Sequence, residues 1–266
     1  MTGLEAITFD FGNTLVPFPA APMADVLRLT AERAGSRAGF RADDFARIWN
    51  EERLRQFDQE VPAGHEADMD VRLVRVLARL RGCAAPGTGE RWDDAVAVGF
   101  SEPSEVAAIL ELYAAAFVAT TPVPPEIGPM LERLARSYKV GILSNWPLAL
   151  AIDRYLEAAG WSRHLRAVVV SHRVGFIKPR LEIFEAAACE LGLASSPAIL
   201  HVGDDLGADV MGAQRAGWRA AWVRIKPEDS PLPTAPPAPD ALPDLVVDSV
   251  LDLEAAIGQR GGAPTP

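Results

Sequence analysis

The stretch Ala6-Ile7-Thr8-Phe9-Asp10-Phe11-Gly12-Asn13-Thr14-Leu15 begins as an apolar run and breaks on a carboxylate followed closely by a glycine. An ionised aspartate at the end of a buried strand is costly unless something uses its charge. Three further segments repeat the arrangement of a polar group just beyond an apolar run: Leu143-Ser144-Asn145, Lys178-Pro179 a few residues past Val168-Val169-Val170, and Val202-Gly203-Asp204-Asp205 with Asp209 downstream. In open parallel sheets ligands bind outside the carboxyl ends of the strands, beside the point where strand order reverses. Four chemistry-bearing segments at successive strand ends therefore converge on one edge of such a sheet.

The rest of the chain supplies the sheet. After Pro125 helix and strand patterns alternate. Helices are expected over 127–136, 148–159, 180–191 and 209–216, and strands over 138–143, 167–170, 198–202, 219–223 and 245–247, with a short helix over 251–257. Gly160, Gly192 and Gly217 fall where helices end in the left-handed conformation. This alternation predicts an α/β fold, a doubly wound and mostly parallel sheet with helices on both faces. Between Val16 and Thr121 the texture is helical throughout; in Val71, Leu73, Val74, Val76, Leu77 and Leu80 the apolar spacing follows one helix face. A crossover between parallel strands needs about 30 residues, and this insert is far longer, so it is expected to form its own subdomain. The predicted organisation is a core of residues 1–15 and 122–258, an inserted helical subdomain of residues 16–121, and a flexible tail of residues 259–266. The proline-rich stretch from Pro227 to Pro243 is expected to run extended over the surface.

Bulk composition narrows the function classes. With 49% hydrophobic residues in 266, the chain has ample material for a core, and its formal net charge is −10. That balance argues against a nucleic-acid or anionic-membrane surface, which needs a basic patch. The apolar runs are short of the roughly 20 residues that span a bilayer. Cys83 and Cys189 offer neither a disulfide framework nor zinc-ligand spacing, consistent with a reducing cytoplasm. Of 26 basic residues only Lys139, Lys178 and Lys226 are lysines. Lysine differs from arginine in offering a compact, donor-rich charge, which draws attention to Lys178.

Taken singly, each segment has an ordinary structural reading. Asp10 and Asp204-Asp205 could be helix caps, Ser144-Asn145 an N-cap, and Lys178 a loop cation. Their joint occurrence, in order and at strand ends, resembles the four motifs of the haloacid dehalogenase superfamily, in its phosphatase-like branch with a helical (C1-type) cap. The resemblance implies a hydrolase that forms an aspartyl-phosphate on Asp10 and acts on a small phosphorylated metabolite. It implies Mg²⁺ held by Asp10, the Gly12 carbonyl and Asp204, with Asp205 or Asp209 completing the surroundings and Asp209 positioning Lys178. Ser144 and Lys178 would bind and neutralise the phosphoryl group, and Thr14 would orient Asp10. Asn145 and Trp146 are candidate substrate contacts, Trp146 lining the entrance. In the insert Trp49, Asn50, Arg53 and Arg55 are weaker candidates, for which core and surface roles carry more weight. The expected partner is a small phosphorylated substrate rather than nucleic acid or membrane, for a monomer or homodimer.

Gly12 departs from the pattern. Phosphatases of this superfamily usually carry there an aspartate that protonates the leaving oxygen and then activates water. A glycine can offer a metal only its carbonyl and has no proton to give. The departure predicts a weak phosphatase, an enzyme for activated phosphates, or an acid supplied from elsewhere. Two alternatives follow. One is a 2-haloacid dehalogenase, whose halide leaves unprotonated and whose chemistry needs no metal. The other is a catalytically weak protein that binds a phosphoryl ligand or mediates dimerisation.

Overall fold

The computed structural model describes residues 1–236 and 239–259; the expected tail lies outside them from residue 260 onward. Six parallel strands form one sheet: β1 (Ala6–Phe9), β2 (Lys139–Ser144), β3 (Ala167–Val170), β4 (Ile199–Gly203), β5 (Arg219–Val223) and β6 (Leu245–Val247). Their order is β3-β2-β1-β4-β5-β6. The chain winds outward from β1 through β2 to β3 and then returns to the other side of β1 with β4, so strand order reverses at β1. That is where ligand sites form in such sheets.

Apart from the half-buried Lys139 at the start of β2, the central strands β1, β2 and β4 are buried along their length, as expected of a sheet covered on both faces. Ile7, Phe9, Ile142, Leu143, Leu200 and Val202 are all fully buried or nearly so. Two polar residues interrupt this apolar run, and they face each other: Thr8 pairs in register with His201, and Thr8 Oγ1 lies 2.9 Å from His201 Nδ1. Each gives the other a hydrogen-bond partner inside the apolar sheet. One side of the core packs Ile183, Phe184, Ala187, Leu191, Val210 and Trp218 against the sheet. Phe184 meets both His201 and Trp218 edge-on.

Two compact units emerge. Among the described residues, one holds residues 1–20, 122–145 and 156–259 and contains the whole sheet; the other holds residues 21–121 together with 146–155. The second unit is helical, with helices Ala20–Ala38, Ala42–Gln59, Met69–Leu80, Asp94–Val98 and Pro103–Thr120. Asp68 begins the third of these by accepting hydrogen bonds from the Asp70 and Val71 amides. An aromatic stack runs Phe40, Phe45, Trp49, Tyr113 through the unit. Residues 146–155 join it through Phe117, whose ring meets both Trp146 and Tyr155. By length and composition alone, Pro103–Thr120 could cross a membrane. It buries Ile109, Leu110, Tyr113 and Phe117, and its two charged residues, Glu105 and Glu111, pair with Arg81 and Arg154.

The expected helix over 209–216 forms differently. Residues Leu206–Met211 make a π-helical turn before a short α-helix, Gly212–Arg215. Such turns break the usual ladder and recur at functional sites. Here the turn carries Asp209.

Candidate active site

Sheet register delivers the first carboxylate. Phe9 pairs with Ile142 on one side and Val202 on the other, and the Asp10 amide extends the ladder by donating to Val202 O at 2.8 Å. Asp10 therefore leaves the sheet between the ends of β2 and β4, at the switch point. In the turn beyond it Gly12 bridges to Val16, and Asn13 holds a left-handed conformation at φ 59°. Its side-chain oxygen accepts from the Phe18 amide, which offsets part of the strain an L-residue incurs there.

Lys178 ties the edge together. Its ammonium, almost wholly buried, donates to Asp10 Oδ1 at 2.7 Å, Leu143 O at 2.8 Å and Asp209 Oδ1 at 2.7 Å. All three of its donors are thus used. Burial works against this charge, but the two carboxylates hold its pKa above the ordinary lysine value. Behind it, Asp209 Oδ1 also meets His201 Nε2 at 3.1 Å, while Oδ2 accepts from the Asp205 amide at 2.9 Å. Since a carboxylate only accepts, His201 carries its proton on Nε2 and takes the Thr8 hydroxyl at Nδ1. Burial holds the imidazole below its usual pKa and keeps it neutral. The result is a buried line, Thr8–His201–Asp209–Lys178–Asp10, that fixes the ammonium against the strand end. Gly203 makes room for it: a Cβ there would stand 2.1 Å from the Asp209 carboxyl carbon.

Asp204 completes a cluster. Carboxylate oxygens of Asp10, Asp204 and Asp209 lie within 4.8 Å of one another. Asp204 Oδ1 receives the Thr14 hydroxyl at 3.4 Å, and Oδ2 meets Lys226 Nζ at 2.9 Å. Burial pushes the Asp10 carboxyl up to about 7 against the pull of Lys178, with Asp209 and Asp204 adding to the rise. Burial and repulsion from Asp209 likewise raise Asp204 to about 6, opposed by Lys226. Burial would raise Asp209 too, but Lys178 and the hydrogen bond from His201 keep it well below the ordinary carboxylate range. Two carboxylates in need of positive charge, presenting hard oxygen donors only, suit a divalent cation such as Mg²⁺.

The remaining candidates divide. Ser144, at the end of β2, is buried, and its hydroxyl has no hydrogen-bond partner among the described residues. Asn145 spends its amide on the lysine loop: Oδ1 accepts the Lys178 amide at 2.7 Å and Nδ2 donates to Lys178 O at 3.1 Å. Trp146 belongs to the helical unit, 4% exposed, its ring 5.3 Å from that of Phe117. Asp205 stands outside the carboxylate cluster; its side chain accepts the amides of Gly207, Ala208 and Ala235. In the helical unit Trp49 is buried in the aromatic stack, Asn50 is exposed, Arg53 lies over Phe57 and Arg55 reaches Pro86 O.

His201 and Lys226 went unmarked by sequence reasoning. For His201 a signal existed in the matched polar pair, Thr8 and His201, within apolar strands. For Lys226 the scarcity of lysine was the only hint.

With the geometry in place, comparison with known proteins agrees with it. The sequence model of the haloacid dehalogenase-like hydrolases matches residues 4–217. A glyceraldehyde 3-phosphate phosphatase of Methanopyrus kandleri is 28% identical over 257 residues, covering 94% of this chain and 95% of that protein. A phosphoserine phosphatase of Thermus thermophilus is 35% identical over 135 residues, 50% of each chain. The fold is shared with a 2-haloacid dehalogenase from Pseudomonas syringae, at TM-score 0.68 and 21% identity over 97% of this chain and 99% of that one. The family match spans most of the chain and includes every strand-end segment from Asp10 to Asp209, so this chain belongs to the haloacid dehalogenase-like hydrolases.

Proposed function

We propose that the protein is a Mg²⁺-dependent phosphatase for a small phosphorylated metabolite, working through an aspartyl-phosphate on Asp10. The observation that carries this reading is the asymmetry of Asp10. Its Oδ1 is held by Lys178, while among the described residues Oδ2 accepts no hydrogen bond. One oxygen is anchored and the other is left to react. The names of the two phosphatases to which the chain is similar support a phosphorylated metabolite as the substrate class.

The roles follow from the chemistry. Asp10 Oδ2 attacks phosphorus, the bond to the leaving oxygen breaks, and a mixed anhydride with Asp10 results. Water then attacks the same phosphorus, releasing phosphate and restoring the carboxylate. Lys178 offsets negative charge where nucleophile and phosphoryl group meet. The Ser144 hydroxyl, buried without a partner, is suited to donate to a phosphoryl oxygen. Asp10, the Gly12 carbonyl and Asp204 would hold Mg²⁺, which when bound supplies positive charge to the phosphoryl oxygens. Asp209 orients Lys178, Thr14 orients Asp204, and Asn145 and Asp205 hold the loops that carry these groups. Gly12 offers no proton to the leaving oxygen, so aryl and acyl phosphates should turn over faster than alkyl phosphates.

The test is a panel of aryl phosphates, alkyl phosphates and 2-haloacids, assayed in Mg²⁺ and in EDTA on wild type and Asp10→Asn. Aryl phosphate turnover should appear in Mg²⁺, vanish on chelation, and drop by a factor of about 10³ or more in the variant. Turnover that survives exhaustive chelation would remove the metal from the reading. Haloacid turnover in EDTA, with none on phosphates, would replace it by the dehalogenase alternative.

A further inference from the structure

The segment after β5 does not simply run over the surface. From Lys226 to Ala235 it crosses the carboxyl ends of the strands, held by four polar tethers. Lys226 Nζ meets Asp204 Oδ2 at 2.9 Å. Asp229 Oδ2 accepts the Ala20 amide at 3.2 Å. Ser230 Oγ receives Asn13 Nδ2 at 2.9 Å. The Ala235 amide donates to Asp205 Oδ2 at 2.7 Å. The strap is thereby fastened to the two loops that carry Asp10 and Asp204, and it holds a lysine, one of three in the chain, against one carboxylate of the cluster. Asp204 is 8% exposed and Lys226 33% exposed at the side chain, so the pair is partly shielded from solvent.

We propose that Lys226 is a built-in competitor for the divalent cation: by occupying Asp204 Oδ2 with an ammonium, the strap lowers the affinity of the site for Mg²⁺. The inference rests on the metal reading of the previous subsection. Two physical effects act in the same direction. A carboxylate whose second oxygen is bound to an ammonium is a weaker donor through its first. A fixed positive charge beside the ligand also repels the incoming cation, and in a water-like dielectric this repulsion alone is worth roughly tenfold in affinity at contact range. Lys178 is not equivalent, because its charge is already shared between Asp10 and Asp209. Lys226 is therefore a positioning residue, acting through Asp204.

Isothermal titration of Mg²⁺ into the full chain tests this without reference to turnover. Lys226→Met should bind Mg²⁺ roughly tenfold more tightly than wild type, and Lys226→Arg, which keeps the charge, should stay within about twofold of wild type. A merely structural role for Lys226 would weaken binding on substitution, the opposite sign. Should Lys226→Met fail to fold by far-UV circular dichroism, Lys226→Gln takes its place. Tightening by both the neutral variant and Lys226→Arg, or by neither, overturns the proposal. Asp204→Asn separates the two levels. If wild type binds, Asp204→Asn does not, and Lys226→Met matches wild type, the competition is wrong and the metal site stands. If wild type, Lys226→Met and Lys226→Gln all fail to bind, both fall together.

Discussion

Glu52 in the helical unit and Asp10 at the sheet edge are both carboxylates withdrawn from water, and their surroundings are opposite. Glu52 is fully buried and saturated: Oε1 accepts Arg79 at 2.8 Å, Oε2 accepts the Trp92 indole at 2.7 Å, and Arg55 lies 3.7 Å away. Asp10 shares one ammonium with Asp209 and stands near a third carboxylate, Asp204. The first cluster is balanced and behaves as structure. In the second, burial first and an excess of negative charge beside it push Asp10 to about 7 and Asp204 to about 6. A chain holds such a group in that state when something else supplies the missing positive charge, and perturbed carboxylates of this kind cluster at functional sites.

The largest expected effect comes from adding to the excess. Gly12→Asp places a carboxyl group where the family's usual acid stands. If the leaving oxygen lacks a proton donor in the native protein, the variant should gain up to the roughly 10²–10⁴-fold that a positioned acid contributes. The gain should be greatest for alkyl phosphates and least for aryl phosphates. It should also lower stability, because another negative charge enters an already overcharged edge. The measurement is the ratio of alkyl to aryl phosphate turnover in folded variant and wild type. An unchanged ratio would show that the proton already comes from another group.

Glu52 gives the opposite expectation. Truncation to Ala takes the buried acceptor from the Trp92 indole and leaves Arg79 with Glu51 alone, and breaking such a partly compensated pair costs about 3 kcal/mol, the low end for buried pairs. Denaturant unfolding should show that loss, while the turnover per folded molecule stays near wild type. A fall in turnover with unchanged stability would make Glu52 part of the site and dissolve the contrast between the two clusters.

How much of this was legible beforehand depends on what each residue's signal was. Apolar runs, alternation and glycine stops located all six strands to within a residue or two, because a buried parallel strand has few other ways to be written. Strand ends then located Asp10, Ser144, Lys178 and Asp204 together. What sequence could not separate was a carboxylate that faces a ligand from one that caps a turn. Asp204 and Asp205 are neighbours of the same type, and only the directions of the amides of Gly207, Ala208 and Ala235 assign Asp205 to the loop. Asn145 is similar, its amide being spent on Lys178 for reasons no local pattern carries. The proline-rich stretch reads as an extended surface segment, and its tethers to Asn13, Asp204 and Asp205 join residues 22 to 217 positions apart in sequence. Such partners are set by the fold, not by spacing.

The smallest effect is a dependence of stability on pH, and its sign follows from the same burial and excess charge. A carboxyl whose pKa is higher folded than unfolded keeps its proton in the native state after the unfolded chain has lost its own. Stability from that group is therefore complete below about pH 4, the unfolded value, and is lost as pH rises through the folded value. For Asp10 that loss runs from near pH 4 to about 7, and for Asp204 from near 4 to about 6. Asp209, held low, works the other way: its contribution is present above the unfolded value and disappears only in strong acid. Asp10→Asn removes the first of these losses while keeping an oxygen for Lys178. In EDTA the variant should be as stable as wild type near pH 4 and more stable at pH 8, by on the order of 1–3 kcal/mol after allowing for coupling among the three carboxylates. Saturating Mg²⁺ should narrow the gap at pH 8, because a ligand that binds only the folded state stabilises wild type more than a variant lacking one of its ligands. A difference in melting temperature that does not change between pH 4 and pH 8 would mean that Asp10 is already fully compensated without a metal, and that the sheet edge is as balanced as the cluster around Glu52.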